Sequence, residues 1–400
     1  MRIPPDIRFF VGCIILLGFS QAVFDSVFNN FLHDTFGLSG IQRMALELPR
    51  ELPGVLVIVV SAVLFALSSR RLAFVALLLQ AAGLLLISVS GSRYSLLLTW
   101  LFFYSLGQHV FLPLQPAVTM ELAHKGEDGR RLGQINGIRN FAAIGGSFAV
   151  FLGFRYLHAG YVAAFRTAAL GIICAAVLFF FLRPGEPHVR GVHLKFHRSY
   201  TLFYWLNILY GTRKQIFLTF APWVLVTIYR QPTQMMATLL TVGGIIGIVF
   251  QPLLGKAVDR VGERAVLAGE ALLLIVVCLL YGFARDLLSA QAALVVAGAC
   301  YVTDQMLISV GMARATYLKK IALDPAHVAP TLSMGTSIDH VFSIAIALAG
   351  GVIWQKWGYQ YVFLAGAFIA LINFFSALRV TIPVKRNAES ESVEEVFGQD

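Results

Sequence analysis

Residues 234–284 read QMMATLLTVGGIIGIVFQPLLGKAVDRVGERAVLAGEALLLIVVCLLYGFA. The stretch consists of two apolar runs, 234–256 and 265–284, separated by a short loop rich in charged residues. An α-helix needs about 20 apolar residues to cross the hydrocarbon core of a bilayer. Each run is therefore long enough to span a membrane once, and the charged loop reverses the chain at the membrane surface.

Apolar runs of the same kind fill most of the chain, and they predict twelve membrane spans. Their approximate bounds are 9–32, 47–68, 72–90, 95–121, 132–154, 160–182, 201–228, 234–256, 265–284, 288–317, 331–353 and 359–379. The runs are continuous and do not alternate in short segments of about ten residues, which excludes a transmembrane β-barrel. The predicted fold class is an all-α membrane protein with twelve transmembrane helices.

The composition supports this fold class. Hydrophobic residues make up 58% of the 400 residues and charged residues 13%, whereas a soluble domain has roughly 45–50% and 25%. A soluble enzyme, a nucleic-acid-binding module and a disordered scaffold are therefore excluded. The four cysteines lie inside apolar runs without the spacing of a metal or disulfide site, so they are expected to be packing residues.

Basic residues are concentrated in alternate loops. If the N-terminus is inside, the inner segments carry nineteen lysines and arginines and the outer segments six. Because cytoplasmic loops are enriched in Lys and Arg, the distribution predicts a multi-pass protein of the cell (inner) membrane with both termini in the cytoplasm. It also accounts for the formal net charge of +10.

The two halves of the chain repeat each other. Residues in equivalent spans recur about 200 positions apart: Gly160-Tyr161 with Gly358-Tyr359, Ile138-Arg139 with Ile338-Asp339, and Gln108 with Asp304. Duplicated six-helix halves are common in transporters, with the substrate site between them. The predicted organisation is an N-terminal half (1–182), a basic cytoplasmic linker (183–200), a C-terminal half (201–380) and a disordered acidic tail (381–400).

The loop in the opening stretch carries a motif with the form Gly-x-x-x-Asp-Arg-x-Gly-x-Arg, at residues Gly255, Asp259, Arg260, Gly262 and Arg264. It resembles the signature loop of the major facilitator superfamily, which joins the second and third helices of each half. The resemblance implies a secondary transporter in which two six-helix halves rock about a central site. It makes Gly255, Asp259, Arg260 and Arg264 gating residues, with Gly255 allowing close helix approach and Asp259 accepting bonds from a helix N-terminus and an arginine. The equivalent first-half loop keeps only a basic pair.

In that family the first, fourth, seventh and tenth helices line the cavity, and polar residues of this chain are enriched in those spans. The candidates for substrate binding are Asn29, Gln108, Gln115, Tyr210, Arg213 and Lys214. A charge at the bilayer centre should face water or an opposite charge. Two adjacent cations exceed what Asp304 alone neutralises, which predicts an anionic solute. The alternative is a salt bridge that joins two helices of the second half.

Helical geometry separates the two cations. Lys214 shares one face with Asn207 and Tyr210, so it is expected to contact the solute. Arg213 points about 100° away, and it is expected to pair with Asp304 or to support the solute from the flank.

Two carboxylates, Asp25 and Asp304, are the candidates for proton coupling, because buried carboxylates readily carry protons. The alternative for Asp25 is a hydrogen bond in helix packing. Arg139 and Asp339 occupy matching repeat positions, which predicts a pair between the halves that opens and closes, or separate partners within each half. His109 and His340 are either proton relays or hydrogen-bonded interior residues. At the outer side, Glu47, Arg50 and Glu51 form either an interfacial cluster or an outer gate.

The function predicted from these residues is secondary active transport of a small organic anion by alternating access, coupled to protons. The expected partners are the solute, protons and the lipid bilayer. Neither nucleic acid nor a cofactor or metal is expected, and the protein is predicted to be a monomer. A multidrug efflux antiporter is the main alternative, disfavoured because residues 137–147 lack the proline of the antiporter motif. A polytopic lipid-modifying enzyme is a remote alternative.

Overall fold

The computed structural model describes residues 5–63, 69–90, 93–122, 128–182, 197–324 and 327–382. Fourteen α-helices account for most of these residues, and no β-strand is present among them. The helices of the first half are α1 (Pro5–Phe36), α2 (Gly40–Ala45), α3 (Glu47–Val63), α4 (Ser69–Ser90), α5 (Tyr94–Glu121), α6 (Asp128–Tyr156) and α7 (Tyr161–Phe180). Those of the second half are α8 (Thr201–Gln215), α9 (Ala221–Thr227), α10 (Thr233–Leu287), α11 (Ala290–Ile308), α12 (Gly311–Ile321), α13 (Val328–Trp357) and α14 (Tyr359–Ala377).

These helices correspond to the twelve predicted spans. Within the described residues, nine continuous helical stretches are long and apolar enough to cross a membrane. One of them, α10, turns at Gly262 and contains the eighth and ninth spans. The second span begins in α3 and continues toward residues that the structure does not describe, and the seventh is formed by α8 and α9 together. The prediction of a twelve-helix all-α membrane protein is confirmed.

Two of the spans are interrupted near their midpoints. A π-helical turn, Ile216–Phe220, separates α8 from α9 directly after the Arg213-Lys214-Gln215 sequence. The tenth span breaks between Ile308 and Gly311, where α11 ends and α12 begins. Such breaks free backbone groups from the helical pattern and are frequent at functional sites. The sequence analysis treated both spans as single helices.

The packing of the helices repeats between the halves. In the first half α1 packs on α6 and α7, and α4 packs on α5 and α7. In the second half the equivalent helices do the same: α8 packs on α13 and α14, and the ninth span in α10 packs on α11 and α14. Contacts between the halves also occur in a symmetric pair, α6 with α10 and α3 with α13. This arrangement is the one that the sequence repeat predicts.

An even number of spans puts residues 5 and 382 on the same side of the molecule, called here the terminal side. Several hydrogen bonds join the halves near the middle or toward the opposite side. Near that side Asn30 donates to the Gln231 carbonyl at 2.9 Å and Gln234 donates to the Phe154 carbonyl at 3.2 Å. Deeper in the molecule Gln215 donates to Glu47 at 2.9 Å. These hydrogen bonds join the halves toward the side opposite the termini.

Candidate transport site

A polar cavity of about 230 Å³ lies near the middle of the spans, between the two halves. The first half contributes Asp25 from α1 and Arg139 from α6, and the second half contributes Gln251 from α10 and Gln305 from α11. Four helices thus meet around one carboxylate, one guanidinium and several amides. Such a set of donors and acceptors can bind a small solute that carries both hydrogen-bonding groups and charge.

The carboxylate of Asp25 is held by neutral partners. Gln21, one turn earlier on α1, donates to both of its oxygens at 3.0 and 3.1 Å. The amide oxygen of Gln21 in turn accepts from the Tyr104 hydroxyl at 3.1 Å and from Gln108 at 3.2 Å. Asp25 makes no ion pair within the described part of the chain. Gln108 therefore contacts the cavity carboxylate only through Gln21.

Arg139 is the cavity's cation, and it too lacks an ionic partner among the residues that the structure describes. Its guanidinium donates to the side-chain oxygen of Gln115 at 3.4 Å, while Gln115 itself is buried. Both residues belong to the first half. The sequence analysis left open whether Arg139 pairs with Asp339 or whether each has a partner in its own half. In the structure Arg139 donates to Gln115 and Asp339 pairs with Lys214, each within its own half.

The arginine beside Lys214 lies in a sealed ionic network of the second half. Arg213 is 1% exposed, and it donates to Asp304 at 2.5 Å and to Glu270 at 3.0 Å. Glu270 also faces Arg314 at 3.6 Å. Asp304 is 0% exposed, so the network has no open face toward the cavity. The sequence analysis expected Arg213 either to pair with Asp304 or to support the solute from the flank, and it did not include Glu270 or Arg314.

Lys214 is partly exposed and pairs with Asp339 of α13 at 2.7 Å. A Cβ atom added at Gly211 would clash with the Asp339 carboxylate, so the glycine leaves room for Asp339 of α13 beside α8. With this pair, the cations Arg213, Lys214 and Arg314 are matched by Asp304, Glu270 and Asp339. The second half thus balances its own buried charges.

The ring of Tyr210 joins these two groups of the second half. Arg314 lies 3.6 Å from its centroid, Arg213 5.3 Å and Lys214 5.7 Å. The phenol hydroxyl donates to the Ile308 carbonyl at 3.1 Å, at the end of α11. Tyr210 therefore links the break in the tenth span to the cations. A movement of the backbone at that break would shift Tyr210 and the cations that lie against its ring.

A second buried ionic group lies toward the opposite side. Arg43, 0% exposed, donates to Glu47 at 2.7 Å and to Asn29 at 3.0 Å. Glu47 also faces Arg50 at 3.4 Å and accepts from Gln215 of the other half. Asn29, a predicted substrate-binding residue, thus accepts a hydrogen bond from Arg43 of this group. The group joins the halves through the bond between Gln215 and Glu47.

The charged loop inside α10 differs from its expected arrangement. Asp259, Arg260 and Arg264 are exposed, and no residue described in the structure forms an ion pair with them. A Cβ added at Gly255 would meet nothing within 4 Å, so the expected close helix approach at Gly255 is wrong. The glycine that the backbone requires is Gly262, whose φ of +82° is unfavourable for other residues.

The loop instead contributes Glu263, which is buried and pairs with Lys320 at 2.6 Å. This pair joins the start of the ninth span to the end of the tenth. In the first half Arg70 and Glu121 join the start of the third span to the end of the fourth at 3.3 Å. The two pairs occupy equivalent places with reversed charges. The predicted linker Arg183–Tyr200 lies mostly outside the described residues, and so does the acidic tail, of which the structure describes only residues 381–382.

The chain is similar in sequence and fold to known proteins. The profile of the Major Facilitator Superfamily matches residues 10–322 and 204–397. A comparison with curated protein sequences finds no match.

Solved structures share the fold at low sequence identity. A mutant of the nucleoside transporter NupG is 12% identical with a TM-score of 0.76, covering 94% of this chain and 100% of the other. An auto-inhibited POT family peptide transporter is 13% identical with a TM-score of 0.74, covering 96% and 99%. The inward open conformation of the xylose transporter XylE from E. coli is 12% identical with a TM-score of 0.70, covering 96% and 98%.

Proposed function

The chain belongs to the Major Facilitator Superfamily, and from this premise we propose that it carries a small organic anion across the membrane by alternating access, coupled to protons. Family membership makes it a multi-pass membrane transporter rather than the lipid-modifying enzyme considered above. Substrate, coupling and the role of each residue are the proposal.

The position of Arg139 carries the proposal of an anionic solute. It is the cation that lines the central cavity, and within the described residues its guanidinium donates a hydrogen bond to the amide oxygen of Gln115. A guanidinium that forms no ion pair in a partly dry cavity can bind an anion. The charge of Asp25 in the same cavity acts on Arg139, but the two side chains form no ion pair. Arg213, in contrast, is sealed behind Asp304 and Glu270, and Lys214 must leave Asp339 before it can meet a solute.

Asp25 is the proposed proton carrier. It lines the same cavity as Arg139, and it is held by the neutral amide of Gln21. A carboxylate without a salt bridge can be neutralised by a proton without leaving a partner charge unpaired. If Asp304, the other candidate, were protonated, Arg213 would keep only Glu270 as a charged partner. The geometry therefore favours Asp25.

The size of the cavity favours a small solute over the multidrug alternative. Its volume is about 230 Å³, whereas pockets for drug-sized ligands have volumes of roughly 300–1,000 Å³. The amides and two charged groups that line this cavity beside its apolar residues offer specific hydrogen bonds to a small solute.

Gating and topology complete the proposal. The halves 1–182 and 201–380 rock about the cavity, and the contacts through Glu47 and Gln215 open when the opposite side opens. Asp259, Arg260 and Arg264 form the latch of the terminal side in the alternate state, which is consistent with their exposure in this one. The terminal side is cytoplasmic, and the transporter works as a monomer in the cell membrane.

Uptake into proteoliposomes tests the proposed function. The expected result is that an imposed pH gradient drives accumulation of one class among radiolabelled mono-, di- and tricarboxylates, with nucleosides and sugars as neutral controls. Asp25→Asn should abolish accumulation driven by the gradient while preserving exchange of labelled for unlabelled solute. Accumulation of lipophilic cations alone would instead support the drug exporter.

A pair of variants tests the assignment of the anion to Arg139. Removing a cation that meets a bound anion in a desolvated site costs about 2–5 kcal/mol, so Arg139→Gln should weaken binding at least tenfold. Lys214→Gln is the matched control, because it removes a cation of the same region that is neutralised by Asp339. A loss of affinity in Lys214→Gln but not in Arg139→Gln would contradict this assignment and favour the contact expected from the sequence.

A further inference from the structure

Three metal-ligand side chains meet at the contact between the halves, outside the cavity described above. Glu51 comes from α3, His109 from α5 and His340 from α13, and their ligand atoms lie within 4.8 Å of one another. His340 Nδ1 lies 2.8 Å from the Glu51 carboxylate, and the two imidazole rings have centroids 4.9 Å apart at 72°. The proposed transport cycle gives none of the three a role.

The ring of His109 is oriented by a neighbour on its own helix. Its Nδ1 lies 2.9 Å from the Ser105 carbonyl and 3.0 Å from the Ser105 hydroxyl, and Ser105 is itself bonded to the Arg50 carbonyl. An Nδ1–H that donates to a carbonyl leaves the Nε2 lone pair free. Histidines that bind metals are commonly oriented in this way.

The backbone leaves room for the second imidazole. A Cβ atom added at Gly54 of α3 would lie 2.7 Å from the ring of His340. The absence of a side chain at Gly54 therefore lets α13 place His340 against Glu51. His340 and Glu51 are both buried, with side chains 10% and 7% exposed, so a bound ion would be shielded from water.

The cationic neighbours of the group have partners of their own. The charges of Arg50 and Lys214 act on Glu51, but Arg50 faces Glu47 and Lys214 faces Asp339. Glu51 can consequently offer its carboxylate to an ion. Two imidazoles and one carboxylate are the ligand set of many zinc sites with an open fourth position.

We propose that Glu51, His109 and His340 form a binding site for Zn²⁺ or a similar divalent transition metal, which bridges the two halves and holds the opposite side closed. Donor atoms around tetrahedral zinc lie about 3.3 Å apart, so small side-chain rotations from the present spacing are sufficient. An ion that binds only the joined state shifts the population toward that state. The inference does not depend on the identity of the solute.

Metal titration tests the site. The full chain is purified without a histidine tag, stripped with a chelator and titrated with Zn²⁺ by calorimetry. One ion per chain is expected, with affinity at least tenfold weaker in His109→Gln and His340→Gln. His327→Gln is the matched control, because His327 stacks on His197 at 4.1 Å on the terminal side and outside the group. Unchanged affinity in both ligand variants, or a loss in the control alone, would overturn the proposal.

A second measurement avoids variants that fold poorly. Co²⁺ in a four-coordinate site with nitrogen ligands absorbs visible light strongly, whereas six-coordinate Co²⁺ absorbs weakly. The wild-type chain should give the strong spectrum, and His340→Cys should keep binding with a shifted spectrum because it retains a ligand. A weak six-coordinate spectrum in the wild type would refute the site.

The bridging role has its own readout. A cysteine at Gln231, whose carbonyl accepts from Asn30 of the other half, reports access to the opposite side. Zn²⁺ should slow its labelling by an impermeant maleimide, and the effect should disappear in His340→Gln. Equal labelling rates with and without Zn²⁺ would show that the ion does not hold the halves together.

Discussion

At the scale of single residues, the buried charges of the second half decide what its cations can do. Arg213 has two carboxylate partners, Asp304 and Glu270, within 3.0 Å. Removing one member of a buried ion pair leaves an uncompensated charge and typically costs about 3–5 kcal/mol. Arg213→Gln should therefore lower the melting temperature and the yield of folded protein, since it leaves both carboxylates without this cation.

A second substitution separates stability from binding in that experiment. Adding Asp304→Asn to Arg213→Gln removes one of the two uncompensated carboxylates, so it should partly restore the melting temperature. Glu270 still faces Arg314 at 3.6 Å in the double variant. A single variant with wild-type stability but weak solute binding would show that Arg213 serves the substrate and not the fold.

Sequence reasoning at this scale succeeded where two groups had complementary charges at matching depths. It paired Arg213 with Asp304 because both lie at the middle of their spans. It did not include Glu270, which lies in the ninth span. A single carboxylate in an apolar span is itself a signal, since it must be buried against a cation, but its partner depends on a tertiary contact that one sequence does not specify.

At the scale of the helical elements, two glycines of the motif in α10 differ in backbone conformation and in the space around them. Gly262 has a φ of +82°, and Gly255 has an open position where a Cβ would meet nothing. A non-glycine residue held in such a conformation is strained by about 1–3 kcal/mol. Gly262→Ala should thus lower the melting temperature, measured in detergent.

Gly255→Ala is the matched control from the same motif. It replaces glycine by a better helix former in a helical segment with free space, which stabilises by about 0.5–1 kcal/mol. Equal effects of the two substitutions would mean that the turn does not depend on the conformation of Gly262.

The elements themselves were largely predictable because membrane spans are defined by length and hydropathy. The predicted spans 201–228 and 359–379 agree closely with α8–α9 and α14, and 132–154 falls inside α6. The breaks in the seventh and tenth spans were missed. The break in the seventh span had a local signal that the sequence analysis did not use, because Pro222 lies at the start of α9, directly after the π-helical turn at residues 216–220, and a proline inside a span removes a backbone hydrogen bond. The break in the tenth span, at residues 309–310, has no such proline.

At the scale of the whole molecule, the distribution of basic residues predicts which side of the membrane each loop faces. Arg190 lies in the linker between the halves and Arg93 in the loop between the third and fourth spans. With the termini in the cytoplasm, a cysteine at position 93 should react with an impermeant maleimide in intact cells, and one at position 190 should react only after permeabilisation. The reverse pattern would invert the proposed orientation.

The joined state of the two halves is a population, and its contacts set the equilibrium. Gln215 donates to Glu47 across the halves at 2.9 Å. A hydrogen bond to a charged group contributes about 1.5–3 kcal/mol. Gln215→Leu removes it without isolating Glu47, which keeps Arg43 and Arg50. The variant should favour the state open to the opposite side by about tenfold or more, measured as faster maleimide labelling of a cysteine at Gln231.

Thr219→Val provides the control for that shift, because Thr219 accepts from the same Gln215 amide at 2.8 Å but within one half. Losing this bond loosens the side chain of Gln215 without removing the contact between the halves, so labelling should stay close to the wild-type rate. If both variants accelerate labelling equally, the effect comes from local loosening of the π-helical turn. If neither does, the bond between Gln215 and Glu47 does not contribute to closure, and the remaining contacts through Asn30 and Gln234 hold the opposite side shut.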